Sequence, residues 1–381
     1  MHVGLNAQLL SLSETYRSAG INRYIHQLIM TLPGIAPDLR LTAYVGDTRF
    51  MPPPGLEARY SRLPTGRPSV RILWEQTAQP WRILVDGLDV IHGLAYVLPI
   101  VAPCARVVTV HDLSFVRYPQ AFRPFNRIYL QAMGRASVRR AHRVIADSES
   151  TRRDLIRLWR IDPGQVVVVP LGIEPEFTPG EPDQVESFRR RRGLPERYLL
   201  FVGTLEPRKN VTAVVEAFAA WLRRSRRRDV HLVIAGAKGW YYDAVFARVE
   251  ALQVQDRVHF AGYVPAAELP DWYRGAEGFV YPSLYEGFGL PPLESMACGT
   301  PVITSNTSSL PEVVGDAAIL VDPTDVEAIA EAMERLLSDP ELRRQLREAG
   351  MARARLFSWE RTARETVAAY RDALGQGTVD R

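Results

Sequence analysis

Lysine is almost missing from this chain. Of 47 basic side chains, only Lys209 and Lys238 are lysines; the rest are arginines. A chain that uses arginine nearly everywhere keeps a compact ammonium at those two places, and the two groups are not interchangeable at a phosphate. Cysteine is scarce too. Cys104 and Cys298 are too few for a disulfide framework or a metal cluster. No apolar run reaches the length of a membrane span. The opening Met1-His2-Val3-Gly4-Leu5-Asn6 lacks the charged flank and apolar stretch of a secretory leader, so cytoplasmic residence is the expectation. No G-x-G-x-x-G follows the first strand-like run, which disfavours a dinucleotide enzyme. There is no P-loop and no G-x-S-x-G.

What is present suits two α/β domains. At 381 residues and 46% hydrophobic content, two domains are expected rather than one. The net charge of +4 is mild. Arginines cluster at 135–143, 189–192 and 223–228. Such runs read as solvated helix faces, or functionally as contacts with anionic lipid or an anionic acceptor. Aromatics are not interleaved with them, so nucleic acid is not an expected partner.

Short strand-like runs alternate with helical patterns, which means a parallel sheet covered on both faces. Expected strands lie at 2–6, 41–45, 90–92, 106–110, 143–146 and 166–170. A helix opens after Gly20, with Ile25, Leu28, Ile29 and Leu32 on its apolar face. Residues 52–68, rich in Pro and Gly, read as loop, and the next helix begins near Leu73. Ser148 is a fair N-cap for a helix over 148–160. Residues 177–195 read as a linker. A second α/β series follows, with strands at 198–202, 230–234, 258–260, 278–281, 301–304 and 318–321. Amphipathic helices are expected over 325–337 and 340–354, and a tail helix over 357–374. In doubly wound sheets ligands bind at the carboxyl ends of strands, so two such domains imply a cleft and direct attention to the residues just past each strand.

The most informative stretch is Tyr285-Glu286-Gly287-Phe288-Gly289-Leu290-Pro291-Pro292-Leu293-Glu294-Ser295-Met296-Ala297-Cys298-Gly299-Thr300-Pro301-Val302-Ile303. A flexible turn at 286–289 precedes a short helix. Pro291 and Pro292 suit its start, and Gly299 its C′ position. The helix opens beside two glycines whose amides can approach an anion. Glu286 in the turn and Glu294 in the first helical turn flank that site. Carboxylates there suit hydroxyls of a sugar or ribose rather than phosphate. A plain βα turn with a dipole-stabilising Glu294 is the bland alternative.

Four other strand ends stand out. In Ser18-Ala19-Gly20-Ile21-Asn22-Arg23-Tyr24, Gly20 can present its N–H to phosphate, or it marks a simple loop-to-helix junction. In Val108-Thr109-Val110-His111-Asp112-Leu113, His111 directly follows a buried strand. It could donate to a sugar hydroxyl or be an ordinary strand-end histidine. In Val202-Gly203-Thr204-Leu205-Glu206-Pro207-Arg208-Lys209-Asn210, Arg208 and Lys209 fall at the start of the next helix. Cations there oppose the helix dipole, and a guanidinium fork plus an ammonium suits a diphosphate. The ends His231-Leu232-Val233-Ile234-Ala235-Gly236 and Phe260-Ala261-Gly262-Tyr263-Val264 could line a flat base pocket or simply pack closely.

Together these residues resemble the family-4 retaining glycosyltransferases of GT-B fold, in their mannosyltransferase-B-like branch. The resemblance also takes in Ala146-Asp147-Ser148-Glu149-Ser150 and Pro170-Leu171-Gly172-Ile173, and spans nearly the whole chain. It implies two Rossmann-like domains. Residues 1–176 with 357–381 would form the acceptor-binding domain and 177–356 the nucleotide-sugar domain, the tail helix crossing back to the first. It implies a donor set of Gly20, Thr204, Arg208, Lys209, Val264, Glu286, Gly287, Phe288, Gly289, Leu290 and Glu294. Gly20 would meet the diphosphate, Arg208 and Lys209 would hold it, Glu286 would face the sugar and Glu294 the ribose. His111, Glu286, Arg208 and Lys209 would carry catalysis. Many relatives place an arginine after the glycine at 203; here it is Thr204, and Arg208 is expected to supply that charge. The implied activity moves a hexose, mannose favoured, from a nucleoside-diphosphate sugar (GDP-mannose) to a saccharide or lipid-linked saccharide in cell-surface polysaccharide synthesis. No metal or cofactor is expected, and the enzyme would sit in the cytoplasm or at the inner face of the plasma membrane. The alternatives are a nucleotide-sugar epimerase or a non-catalytic nucleotide-sugar-binding protein of the same form.

Overall fold

A computed structural model describes residues 1–12, 20–225, 229–237, 239 and 242–375. Lys238, Ser18, Ala19, the end of the 223–228 cluster and most of the 10–17 loop lie outside the described residues. The chain forms two compact units. One is Met1–Gly172 with Ser358–Arg381, the other Ile173–Phe357.

The first unit holds seven parallel strands: β1 (His2–Ala7), β2 (Arg40–Val45), β3 (Leu56–Tyr60), β4 (Val90–Gly93), β5 (Ala105–Val110), β6 (Arg143–Ala146) and β7 (Val166–Val168). Their order in the sheet is β3-β2-β1-β4-β5-β6-β7. Helix α1 (Ile21–Ile35) buries Ile25, Leu28, Ile29 and Leu32 completely, the face that the sequence spacing indicates. The tail helix (Trp359–Ala373) packs on α1 and on β5 and β6. The Ser358 hydroxyl caps its start by accepting from the Arg361 amide, 3.2 Å away. Tyr370 joins it to the sheet through His92 Nδ1 at 2.8 Å. His92 Nε2 in turn meets the Thr109 hydroxyl at 2.8 Å, and Tyr24 reaches the same hydroxyl at 2.9 Å. This polar chain is fully buried, and the low-dielectric setting makes each of its bonds costly to lose.

The second unit holds six parallel strands: β8 (Arg197–Val202), β9 (Val230–Ala235), β10 (Val258–Gly262), β11 (Gly278–Tyr281), β12 (Val302–Ser305) and β13 (Ile319–Val321). Their order is β10-β9-β8-β11-β12-β13. In both sheets the order reverses beside the first strand of the unit, which is where ligands settle in doubly wound sheets.

Three expectations need correction. Residues 52–68 are not all loop, because Leu56–Tyr60 forms edge strand β3 on β2. Only Leu56 there is buried, so the hydrophobic signal is faint. Helix α2 (Pro68–Asp86) starts five residues before Leu73, with Pro68 in the position where a missing N–H costs nothing. The expected linker contains the helix Pro182–Arg192. Its arginines are a paired surface: Arg189 and Arg190 meet Glu186, and Arg192 meets Glu268. No helix among the described residues is long and apolar enough to cross a membrane.

Candidate active site

The second unit gathers the charged residues at the ends of its two central strands. Past β8 the chain makes a tight 3₁₀ turn, Pro207–Lys209, before the helix Val211–Arg224. Arg208 and Lys209 therefore precede that helix rather than opening it. Asn210, in the left-handed region at φ 59°, separates them from it. The turn is tied to the loop past β11: the Leu284 amide donates to the Arg208 carbonyl at 2.9 Å, and Ser283 Oγ lies 3.0 Å from the same oxygen. Asn210 donates to the Pro282 carbonyl at 3.1 Å and the Pro323 carbonyl at 2.7 Å.

These ties bring both cations onto Glu286. Lys209 Nζ lies 2.6 Å from Glu286 Oε1, and Arg208 Nη1 lies 3.0 Å from Oε2. Oε1 also accepts from the Tyr281 hydroxyl at 2.8 Å and from Ser283 Oγ at 2.7 Å. Lys209 donates a second bond to the Tyr281 oxygen at 2.6 Å. Arg208 spreads its remaining donors over Glu206 and the Tyr285 carbonyl, both at 2.7 Å. Burial opposes charge on Glu286, but Lys209, Arg208 and the donated hydrogen bonds outweigh it and hold the carboxyl down at about 2. Burial is also the largest influence on Lys209 and lowers its pKa against the pull of Glu286. Tyr281 stays a neutral phenol, raised by burial and by Glu286. Two half-buried cations thus share two carboxylates, Glu206 and Glu286, in a site whose charges balance.

The 286–289 turn is packed rather than flexible. The Glu286 amide donates to Ser308 Oγ at 2.9 Å, and Ser309 Oγ donates back to the Glu286 carbonyl at 3.0 Å. Glu286, Phe288 and Leu290 are all buried. Gly289 has φ 123°, and a Cβ there would stand 2.8 Å from Leu310 Cδ2, so glycine is required on both counts. The helix that follows is Leu290–Ala297, stopped by Gly299 at φ 78° as the sequence indicates. Pro291 and Pro292 bring no N–H, so the donors at this helix end belong to Leu290 and the turn before it. Glu294 stands one turn deeper than the first-turn position expected of it. It is 2% exposed, and the Tyr273 hydroxyl donates to its Oε2 at 2.8 Å.

In the first unit, His111 follows β5 and Asp147 follows β6. The register pairs Val110 with Ala146, which sets the two side chains together. His111 Nδ1 lies 2.7 Å from Asp147 Oδ2, and Nε2 faces the Leu94 carbonyl at 3.0 Å. A carbonyl only accepts, so Nε2 carries a proton. Burial disfavours a charge on this ring, but Asp147 and the Leu94 carbonyl outweigh it and raise its pKa. Gly20 is exposed at the start of α1 with φ 46°, and α1 has no side-chain cap there. Thr204 is half-buried just past β8 and Val264 is buried just past β10.

Two family models match. Residues 4–177 fit the model described as Glycosyltransferase Family 4, and residues 184–353 fit Glycosyl transferases group 1. O-antigen chain mannosyltransferase B of Escherichia coli is 36% identical over 77% of this chain and 77% of its own length. This chain belongs to the group 1 and family 4 glycosyltransferases. Among solved structures, the sucrose-phosphate synthase of Thermosynechococcus elongatus superposes with a TM-score of 0.80 at 25% identity, over 98% of this chain and 99% of that one. Anabaena Alr3699/HepE in complex with UDP-glucose superposes at 0.74 with 16% identity, over 97% of this chain and 100% of that one, and so shares the GT-B fold. In this glycosyltransferase the expected Arg208, Lys209, Glu286 and the 287–290 turn form one cluster in the second unit. Glu294 has its own partner, Tyr273. Sequence reasoning gave no role to Tyr281, Ser283, Glu206 or Asp147. Asp147 had a signal, since it follows its strand as His111 does.

Proposed function

We propose that this glycosyltransferase moves a hexose, mannose favoured, from a nucleoside-diphosphate sugar to a saccharide or lipid-linked saccharide, with retention at the anomeric carbon and without a metal ion. The observation that carries this is the pairing of half-buried Arg208 and Lys209 with buried Glu286 beside the glycine turn. A diphosphate brings more negative charge than one carboxylate and competes for the same two cations. The amides of the 287–290 turn add donors on the side where the helix dipole favours an anion.

Breaking the anomeric C–O bond builds positive charge on the sugar and negative charge on the diphosphate. Arg208 and Lys209 stabilise the departing oxygens electrostatically. The sugar becomes oxocarbenium-like. The acceptor oxygen bonds to the anomeric carbon on the face the diphosphate leaves, and its proton passes to a departing phosphate oxygen. Glu286, released from the cations, is free to meet sugar hydroxyls, and Glu294 serves the ribose. His111, engaged at both ring nitrogens by Asp147 and the Leu94 carbonyl, offers no mobile proton. The likeness to an O-antigen mannosyltransferase supports mannose as the sugar moved and cell-surface polysaccharide as the product class; GDP-mannose is the donor this reading favours.

The test is turnover of a panel of nucleotide sugars with saccharide acceptors, reading the new linkage by NMR. A retained linkage formed in the presence of EDTA is expected. An inverted linkage, or activity that EDTA removes and a divalent ion restores, would overturn the mechanism.

A further inference from the structure

The two oxygens of the Glu286 carboxylate are held unequally. Oε1 takes three donors: Lys209 Nζ at 2.6 Å, Ser283 Oγ at 2.7 Å and the Tyr281 hydroxyl at 2.8 Å. Oε2 meets Arg208 Nη1 at 3.0 Å and no other partner among the described residues. A carboxylate only accepts, so the single O–H of Tyr281 is spent on Glu286. The phenol oxygen accepts in turn from Lys209, 2.6 Å away. Packing fixes this phenol. Tyr281 ends β11, and its ring stacks on Phe201 with centroids 5.6 Å apart and on Phe279 at 5.5 Å. Tyr281 and Ser283 are both 0% exposed. Neither can reach a substrate, so whatever they do for the reaction passes through Glu286.

A diphosphate that engages Lys209 and Arg208 takes both cations from this carboxylate. Glu286 is 7% exposed, and burial by itself favours its protonated form. A protonated carboxyl is a poor acceptor for sugar hydroxyls. The charged and titratable groups facing Glu286 are Lys209, Arg208 and Tyr281, with Glu206 behind Arg208. Once phosphate holds the two cations, the hydroxyls of Tyr281 and Ser283 are the donors that remain. Hydrogen bonds donated to a carboxylate favour its charged form. Both hydroxyls sit on Oε1, so Oε2, released by Arg208, is the oxygen left for a sugar hydroxyl.

We propose that Tyr281, seconded by Ser283, is a positioning residue that keeps Glu286 ionised, with Oε2 open to the donor sugar, after the cations have passed to the diphosphate; this role rests on the glycosyl-transfer reading above. The test is the pH dependence of kcat in wild type, Tyr281→Phe and Ser283→Ala, with GDP affinity measured by isothermal titration. Phenylalanine keeps the stacked ring and removes only the hydroxyl. The acid limb of kcat reports an essential base in the substrate complex. Without the phenol, that base should take up its proton more readily. In Tyr281→Phe the limb should therefore move up by about one to two pH units, the loss of one hydrogen bond to a charged group. KM and GDP affinity should change less than about threefold, because Lys209 and Arg208 are intact. Ser283→Ala should move the limb the same way, and it gives the reading where the phenylalanine variant does not fold. A tyrosine with only a structural part would lower melting temperature and kcat with the limb in place. That result, or an unmoved limb in both folded variants, would overturn the role. Carbon-13 titration of the glutamate carboxyls in the GDP complex, with Glu286 assigned through Glu286→Gln, reads the same shift without turnover. Wild type that binds GDP but transfers no sugar sinks the transfer reading, and the titration still decides whether Tyr281 holds the charge. Transfer by wild type with an unmoved limb in the variants sinks the role of Tyr281 alone.

Discussion

A Cβ on Gly236 would stand 1.9 Å from the carbonyl oxygen of Gly203. The two glycines end neighbouring strands, β9 and β8, and the Gly203 amide donates to the Ala235 carbonyl at 2.9 Å. Gly236 also holds φ 157°. Gly236→Ala must push β8 and β9 apart just where the 204–209 segment leaves the sheet. We expect a loss of roughly 1–3 kcal/mol or more, read as a lower urea midpoint, with weaker nucleotide binding. A variant as stable as wild type would mean that the strand ends separate more easily than their packing indicates.

Removing the charge of Glu286 has two opposite consequences. Glu286→Gln leaves the half-buried Lys209 and Arg208 with less compensation, which should cost on the order of 1–3 kcal/mol. A nucleoside diphosphate would restore the missing charge. The GDP-induced rise in melting temperature should therefore be larger in Glu286→Gln than in wild type, while sugar transfer falls on the order of a hundredfold. A smaller thermal shift in the variant would argue against competition between this carboxylate and the diphosphate.

Lys209→Ala should lose nucleotide-diphosphate binding and lower turnover on the order of a hundredfold or more. Lys209→Arg should recover little, because the ammonium fits between Glu286 Oε1 and the Tyr281 oxygen, each 2.6 Å away. Isothermal titration with GDP and initial rates would check both. Full activity in the arginine variant would show that only charge matters here.

The depressed pKa of Glu286 also sets a pH dependence. Its carboxyl is held at about 2 in the fold against an ordinary 4.5. A carboxyl lowered on folding contributes stability above its unfolded pKa, and that contribution is lost as pH falls through the folded value. Wild type should therefore lose melting temperature between about pH 4.5 and about pH 2. Glu286→Gln should lose less across the same window. Parallel curves would show that the carboxylate is not held as its surroundings require.

Thr109→Val removes the hydroxyl shared by His92 and Tyr24. Each is then left with a buried polar atom short of a partner, at a cost of about 1–3 kcal/mol per group. Chemical denaturation would measure it, and a change under about 0.5 kcal/mol would mean that the network relaxes around the loss.

How far the sequence reached can be traced residue by residue. The strands of both sheets show as apolar runs because a parallel sheet is buried on both faces. β3 escaped because it is an edge strand with one buried residue, set among prolines that favour a loop reading. The 182–192 helix escaped because its arginines mask the single buried anchor, Phe188. The stretch from Glu286 to Glu294 was legible in type and spacing, as were the two cations. That Glu286 faces those cations was not legible, since side-chain direction depends on how the 283–289 loop folds onto the 207–209 turn. The pairing of His111 with Asp147 lay within reach, for each follows its strand and only the register was missing.

The return of the tail helix to the first unit has a consequence for biosynthesis. The second unit is one uninterrupted segment, Ile173–Phe357, whereas the first is split around it. As the polypeptide leaves the ribosome, the inserted unit has all its strands before the earlier one receives its last helix. Until Tyr370 arrives, His92 lacks the phenol that meets its Nδ1, and α1 lacks the helix packed on it. A nascent chain stalled before Ser358 should therefore show a protease-resistant second unit beside a first unit still open to cleavage.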